Sequence, residues 1–423
     1  MYKSNFPLNK PHTYFEKQQF VPLLQEPPHS QLQCIVVIPC FNEPDLITTL
    51  DSLWKCDETK FPVEIIAVIN SGRNADSNVM DCNNLTLKTM QLWMQKHNSN
   101  HRHYQVIHCS DLPPKKAGVG LARKIGMDEA AYRFSLNGND NGIIVCLDAD
   151  CTVQPNYLVE IEKHFSNNIK TAGCSVYFEH PLEGKQEPSI YDAIINYELY
   201  LRYYVGALRY CGFHAPYHTI GSSMAVTNKA YQKQGGMNQR KAGEDFYFLH
   251  KIFHLGNFSE LNTTTVYPSP RISNRVPFGT GSAISKIVTA GNNNYPVYAF
   301  ETFEILKVFF DQIKVNATSR EMINIDSFAP ALKNFLSAHN AASKMIEIAT
   351  QTINSKTYLQ RFAHWFDGFM VLKCVHYMRD HFLEQEEVLV ATKKLMNNLN
   401  ISPGNLTKRE MLLRLRKHDR SGS

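Results

Sequence analysis

Short unbroken apolar runs alternate along this chain with stretches whose apolar residues recur every three or four positions. The apolar runs "CIVVIP" (34–39), "VEIIAVIN" (63–70) and the one at 143–147 in "IIVCLDADCT", and the more mixed "HYQVIHC" (103–109), are too short for helices. Three are rich in Val and Ile and bounded by turn residues, and all four predict strands, buried on both faces. Between them, Leu46, Leu50 and Leu53 recur at helical spacing behind an Asn-Glu-Pro turn, with Pro44 suited to the start of a helix. A glycine-rich turn leads "KKAGVGLARKIGMDEAAYRF" (115–134) into a second helix. Strand and helix in alternation predict an α/β fold, a mostly parallel, Rossmann-like sheet covered by helices. Ligands of such sheets bind beyond the carboxyl ends of the strands, where Asn42, Glu43, Asn70, Asp148 and Asp150 fall.

Further on, "SIYDAIINYELYLRYYVGALRY" (189–210) places Ile190, Ile194, Tyr197, Leu201, Val205 and Leu208 on one helical face. After about residue 290 the pattern is helical to the end. The expected organisation is a polar arm over 1–30, laid across the body, an α/β domain over 31–290 and a helical domain over 291–423. There is no internal repeat and no low-complexity segment.

Charge changes this picture little. Lys and Arg number 44 against 39 acids, a formal +5 over 423 residues, which is too weak to argue for a nucleic-acid partner. The ten cysteines are scattered, without CxxC, and Cys34, Cys40, Cys146 and Cys174 sit in apolar surroundings. A reducing, cytoplasmic location is expected. The first twenty residues lack the apolar core of a signal peptide, and no apolar run approaches the roughly 20 residues a spanning helix needs. The expectation is a soluble protein, at most resting on the inner membrane face.

The candidate chemistry lies in "LDADCT". In an extended strand residues i and i+2 point the same way, so Asp148 and Asp150 are expected to face one point. Carboxylates so close repel unless a cation or a proton lies between them. One reading is a haloacid-dehalogenase-like phosphatase, whose DxDxT pattern uses the first Asp as nucleophile. That motif belongs on the first strand of its sheet, whereas three strands precede it here, and no downstream GDxxxD is found. The other reading is a DxD motif joining Mn²⁺ or Mg²⁺ to the phosphates of a sugar nucleotide, a metal that offsets charge on the departing diphosphate. A non-catalytic sugar-nucleotide binder is the third class.

From 34 to about 278 the chain resembles the family 2 glycosyltransferases of GT-A fold. The ordered elements "VVIPCFNEPDLITTLDSL", "GLARKIGMDEA", "LDADCTVQPNYL", "GSSMAV" and "GEDFYFLHKI" carry the resemblance. It implies that Pro39, Asn42 and Glu43 contact the nucleoside. It places Asn70 where many members carry an acid that holds the base; an amide both donates and accepts there. It implies that Arg123 reaches the diphosphate, that Asp148 and Asp150 hold the metal, and that Glu244 and Asp245 are the catalytic pair. In inverting members the carboxylate matching Asp245 is the general base toward the acceptor hydroxyl; in a retaining enzyme it would not be. The implied partners are a nucleoside-diphosphate sugar and a hydroxyl acceptor: a glycan, a lipid-linked glycan or a small molecule.

Weaker signals surround these. "YPSPRISNRVPFGTG" (267–281) holds Arg271 and Arg275, which can clamp phosphates from a closing loop or stand solvated on a surface loop. His218, and His250 with His254, are candidates for a third metal ligand against ordinary packing. "AGVGLAR" can cradle phosphate through backbone amides or simply make a tight turn. The basic amphipathic "LTKREMLLRLRKHDR" is a candidate for peripheral membrane contact.

Overall fold

All four apolar runs are strands in the computed structural model, which describes residues 13–273, 279–291, 295–319, 321 and 323–422. They are β1 (Cys34–Cys40), β2 (Val63–Gly72), β3 (Arg102–Leu112) and β4 (Ile143–Cys146). Every residue of β1 and β4 is buried, which is why these strands are apolar throughout instead of alternating. Four further strands complete one sheet: β5 (Thr152–Val153), β6 (Gly173–Phe178), β7 (Met224–Thr227) and β8 (Phe258–Tyr267). The strand order is β3-β2-β1-β4-β7-β6-β8-β5. The β3-β2, β2-β1, β1-β4 and β6-β8 pairs are parallel, and the pairs of β7 with β4 and β6, and of β5 with β8, are antiparallel. The expected mostly parallel α/β sheet is present.

The chain builds outward from β1 to β2 and β3, then returns to the other side of β1 with β4. The carboxyl ends of β1 and β4 therefore flank a topological switch point, where such sheets leave a crevice. Val37 opposite Cys146 is the last β1–β4 pair, so Pro39 lies past it, where a strand residue without an N–H is tolerated.

Helix Val119–Leu136 crosses the sheet and buries Ala122, Met127, Ala130, Ala131 and Phe134. Gly126 sets its distance: a Cβ there would stand 2.4 Å from Val37 Cγ1 and 3.0 Å from Val68 Cγ2. Gly126→Ala overpacks this contact and is expected to cost about 1–3 kcal/mol, read as a lower denaturant midpoint at unchanged slope. The same helix holds the N-terminal segment. Tyr14 is buried, its hydroxyl donating to Asp128 Oδ1 at 2.6 Å, and the Leu23 N–H donates to Glu129 Oε2 at 2.8 Å.

The chain divides into two compact units. The first comprises 1–181, 219–282 and 419–423 and contains the sheet; the second comprises 182–218 and 283–418. The second unit thus draws in a segment upstream of the boundary near 290 read from the sequence. Helix Pro188–Tyr210 belongs to it and packs on helices Phe300–Ser319 and Val388–Asn398. Its buried face includes Ile190, Ile194, Val205 and Leu208 as expected, but Tyr197 and Leu201 are only half-buried. Glu198 and Arg202 take the interior instead, because Glu198 accepts from both Arg202 (2.8 Å) and Arg416 (2.8 and 2.6 Å). Periodicity of apolar residues does not register an ion pair that turns a helix inward. Arg416 lies on helix Lys408–Ser421, whose apolar side (Met411, Leu412, Leu415) is already buried. Among the described residues no helix is long and apolar enough to cross a membrane. All ten cysteines are free thiols, eight of them buried.

Candidate active site

The loop leaving β1 is fixed by amide side chains. Asn42 takes a left-handed backbone (φ 49°), and its N–H donates to Asn83 Oδ1 at 2.9 Å. Asn83 in turn donates to the Asn70 carbonyl at 3.1 Å, so the ends of β1 and β2 are tied through one residue of helix Ser77–His97. The Asn70 side chain is buried, and neither its oxygen nor its nitrogen has a hydrogen-bond partner. Leaving such a group unpaired costs about 1–3 kcal/mol, which a polar edge arriving from outside would recover.

Asp148 and Asp150 do not project in parallel from an extended strand. β4 ends at Cys146, and a turn follows, in which the Cys151 N–H donates to the Asp148 carbonyl at 3.1 Å. The turn sends the carboxylates to different arginines. Asp148 Oδ1 accepts from Arg123 Nη2 at 2.6 Å, and Asp150 Oδ2 pairs with Arg271 Nη2 at 2.9 Å. Each arginine then reaches a second acid: Arg123 pairs with Glu244, and Arg271 makes a two-pronged contact with buried Glu43. The sequence placed both aspartates on an extended strand; the strand ends two residues earlier, and each aspartate enters an acid–arginine–acid bridge.

Glu244 and Asp245 open helix Glu244–Phe253, behind Gly243 in the left-handed region (φ 69°). Acids suit this end of a helix. Glu244 is buried, whereas Asp245 is partly exposed, and its Oδ1 accepts the Phe246 N–H at 2.7 Å. Burial raises the Asp245 carboxyl to about 6, with the neighbouring Glu244 adding to the rise and Arg123 opposing it. Burial works against the charge on Arg123, but Glu244 and Asp148 outweigh it and hold the guanidinium above its ordinary value.

Two glycines admit this arrangement. A Cβ on Gly120 would lie 2.0 Å from the Arg240 carbonyl and 3.1 Å from Glu244 Cβ, so "AGVGLAR" lets its helix meet the segment that leads into Glu244. A Cβ on Gly221 would lie 2.6 to 2.8 Å from the Arg123 guanidinium. The sequence flagged both stretches without showing these contacts, because each joins residues a hundred or so positions apart.

His218 belongs to the second unit, is close to Arg202, Arg209 and Glu198, and is lowered to about 3 by burial and then by the arginines. His250 is buried against the rings of Phe246 and Phe253. Arg275 lies outside the described residues. Among the described residues no three His, Cys, Asp or Glu side chains gather as a metal-holding group.

Residues 143–289 match the family model described as glycosyl transferase family group 2. No curated protein sequence matches the chain. Among solved structures, TarS 1–349 of S. aureus in complex with UDP is similar at 12% identity and a TM-score of 0.38, covering 93% of this chain and 92% of that one. The same TarS fragment with UDP-GlcNAc gives 12% and 0.39, covering 93% of each chain. The mannosyltransferase PcManGT from Pyrobaculum calidifontis, in complex with GDP-Man and Mn2+, gives 14% and 0.36, covering 90% of this chain and 93% of that one.

Proposed function

We propose that the chain, whose residues 143–289 match the family model described as glycosyl transferase family group 2, transfers a sugar from a nucleoside diphosphate to a hydroxyl acceptor with inversion, using Asp245 as the base. The observation that carries this reading is the junction of the β4 turn with the helix opening at Glu244, which brings Asp148, Glu244 and Asp245 around one guanidinium. Asp245 is partly exposed and raised toward neutrality, as a base at physiological pH requires. It takes the acceptor hydroxyl proton as that oxygen bonds to the sugar carbon and the diphosphate departs on the opposite side. The unpartnered Asn70 amide is suited to the edge of the base, and Pro39, Asn42 and Glu43 border the nucleoside. Arg271, partly exposed and already holding two acids, is suited to the diphosphate.

The acids fit a hard divalent cation. Asp148 and Glu244 meet Arg123, and Glu43 and Asp150 meet Arg271, so acid oxygen donors gather at this corner. Asp148 and Asp150, 38% and 25% exposed, are accessible oxygen donors beside the β4 turn. Two protein carboxylates, with donor phosphates and water completing the shell, is how Mg²⁺ is commonly held. Such an ion, Mn²⁺ or Mg²⁺, would offset charge on the leaving diphosphate. The phospho-aspartate alternative fits less well, since β4 is fourth in chain order and Asp148 is engaged by Arg123.

The test is thermal denaturation against a panel of nucleoside diphosphates and their sugars, with and without Mn²⁺. At one hundred times its dissociation constant, the cognate nucleotide should add about 2.7 kcal/mol, and only fully so with metal. No stabilisation by any nucleotide with metal would overturn the reading.

A further inference from the structure

We infer that the acceptor is an anionic, phosphate-bearing chain, held by a patch of cations that two loops form beside Asp245. The inference rests on the proposed glycosyl transfer and names its acceptor class. The first loop (113–118) carries Lys115 and Lys116 and is drawn into a tight turn, the N–H groups of Lys116 and Ala117 both donating to the Pro113 carbonyl at 2.8 Å. The second leads into Glu244 and carries Arg240 and Lys241. Glycines let the two meet: a Cβ on Gly118 would stand 3.4 Å from Cα and from Cγ of Lys241, and one on Gly120 would stand 2.0 Å from the Arg240 carbonyl. All four cations are exposed, each within three residues of that contact. Among the described residues none of their side chains pairs with an acid. Asp111, the acid nearest the lysines in sequence, is taken by Arg73 at 3.0 Å.

Like charges gathered without counter-charge raise the local potential and draw anions to it. Their placement selects which anion. The Asn238 side chain accepts the Arg240 N–H at 3.1 Å and donates to the Glu244 carbonyl at 2.8 Å, so the second loop is fixed against the helix that carries the base. The Arg240 guanidinium lies 3.6 Å from the centre of the Tyr247 ring, a stack that holds one face and leaves the N–H edge for a phosphate. In a displacement with inversion, the base and the departing diphosphate stand on opposite sides of the sugar carbon. Cations on the segment of the base therefore fall on the acceptor side, whereas Arg271, against Glu43 and Asp150, belongs with the donor. Four cations spread over two loops match negative groups repeated along a chain, since each is too exposed to hold a single one tightly.

The test is binding of a fluorescent synthetic poly(glycerol phosphate) to the full chain, followed by anisotropy, with uncharged dextran and an RNA oligonucleotide as controls. The polymer should bind where dextran does not, and should weaken as salt rises past about 0.15 M, where charges are screened beyond about 8 Å. Arg240→Gln combined with Lys241→Gln is expected to cost about tenfold in polymer affinity, with nucleoside diphosphate affinity within about threefold of wild type and an unchanged circular dichroism spectrum. Lys115→Gln combined with Lys116→Gln examines the other loop in the same way, and carries the test if the first pair disturbs the fold. No binding of the polymer, unchanged affinity in both double variants, dextran bound as tightly, or RNA bound more tightly than the polymer would each overturn the inference. So would a loss of nucleoside diphosphate affinity in place of polymer affinity, which would make the patch part of the donor site. An unaltered chain that binds the polymer but no nucleoside diphosphate would instead mark the glycosyl-transfer reading as the one that fails.

Discussion

Asp245→Asn should lower sugar transfer by about 10²–10⁴-fold, the range set by loss of a general base, while nucleotide affinity stays near wild type. The amide keeps the shape of the side chain and still accepts the Phe246 N–H, so the start of the helix is preserved. What it loses is the ability to take a proton. The same assignment fixes a pH profile. With the carboxyl raised to about 6, kcat/KM of the unaltered protein should climb through that pH and level off above it. Stability should run the other way. A carboxyl whose folded value is raised holds its proton more tightly in the fold than in the unfolded chain, so stability falls as pH rises from 3.8 to about 6 and is level above that. Asparagine imitates the protonated form. Asp245→Asn is therefore expected to melt above wild type at pH 8, with the gap shrinking toward pH 5. A variant that transfers sugar normally, or an acid limb absent from the wild-type profile, would remove Asp245 from the chemistry.

Legibility in the sequence tracked how local each determinant is. The strands β1, β2 and β4 were readable because burial on both faces writes itself as a nearly continuous apolar run, whereas β3, at the sheet edge, is partly exposed and keeps polar residues. The helix at Val119–Leu136 was readable from its glycine-rich entry, but not the reason for Gly126, which is the nearness of Val37 and Val68 on other strands. The site residues were named one at a time, each from its own short motif. Their partnerships were not readable, since Arg123 meets Glu244 across 121 positions and Arg271 meets Glu43 across 228. The DxD pair shows the limit clearly. Alternation along a strand predicted side-by-side carboxylates, and the chain instead leaves the strand at Cys146 and turns. The inward face of helix Pro188–Tyr210 escaped for a related reason: charged Glu198 and Arg202 are interior only because Arg416, two hundred residues on, joins them.

Breaking the pair of Arg133 with Glu64 should have the largest effect on stability. Both side chains are buried, 2% and 3% exposed, and the guanidinium meets the carboxylate with two bonds of 2.6 and 2.7 Å. Arg133→Met leaves the Glu64 charge inside β2 without its partner, and removal of one member of such a pair costs about 3–5 kcal/mol. It also takes the donor from the Glu26 carbonyl, at 2.8 Å, so the N-terminal segment loses one of its ties. Replacing both residues, as Glu64→Leu with Arg133→Met, removes the stranded charge and should restore most of the loss, since an apolar pair of similar volume is often neutral or better. The pair sits beneath the site. Glu64 shares a face of β2 with Asn70, and Arg133 lies on the helix that carries Arg123, about three turns on. Transfer activity per folded molecule should therefore survive the double replacement while Arg133→Met fails by unfolding. Urea midpoints of the single and double variants, read beside their activity at low temperature, decide it. A double variant as unstable as Arg133→Met would mean that the ion pair contributes more than cancellation of its own buried charge.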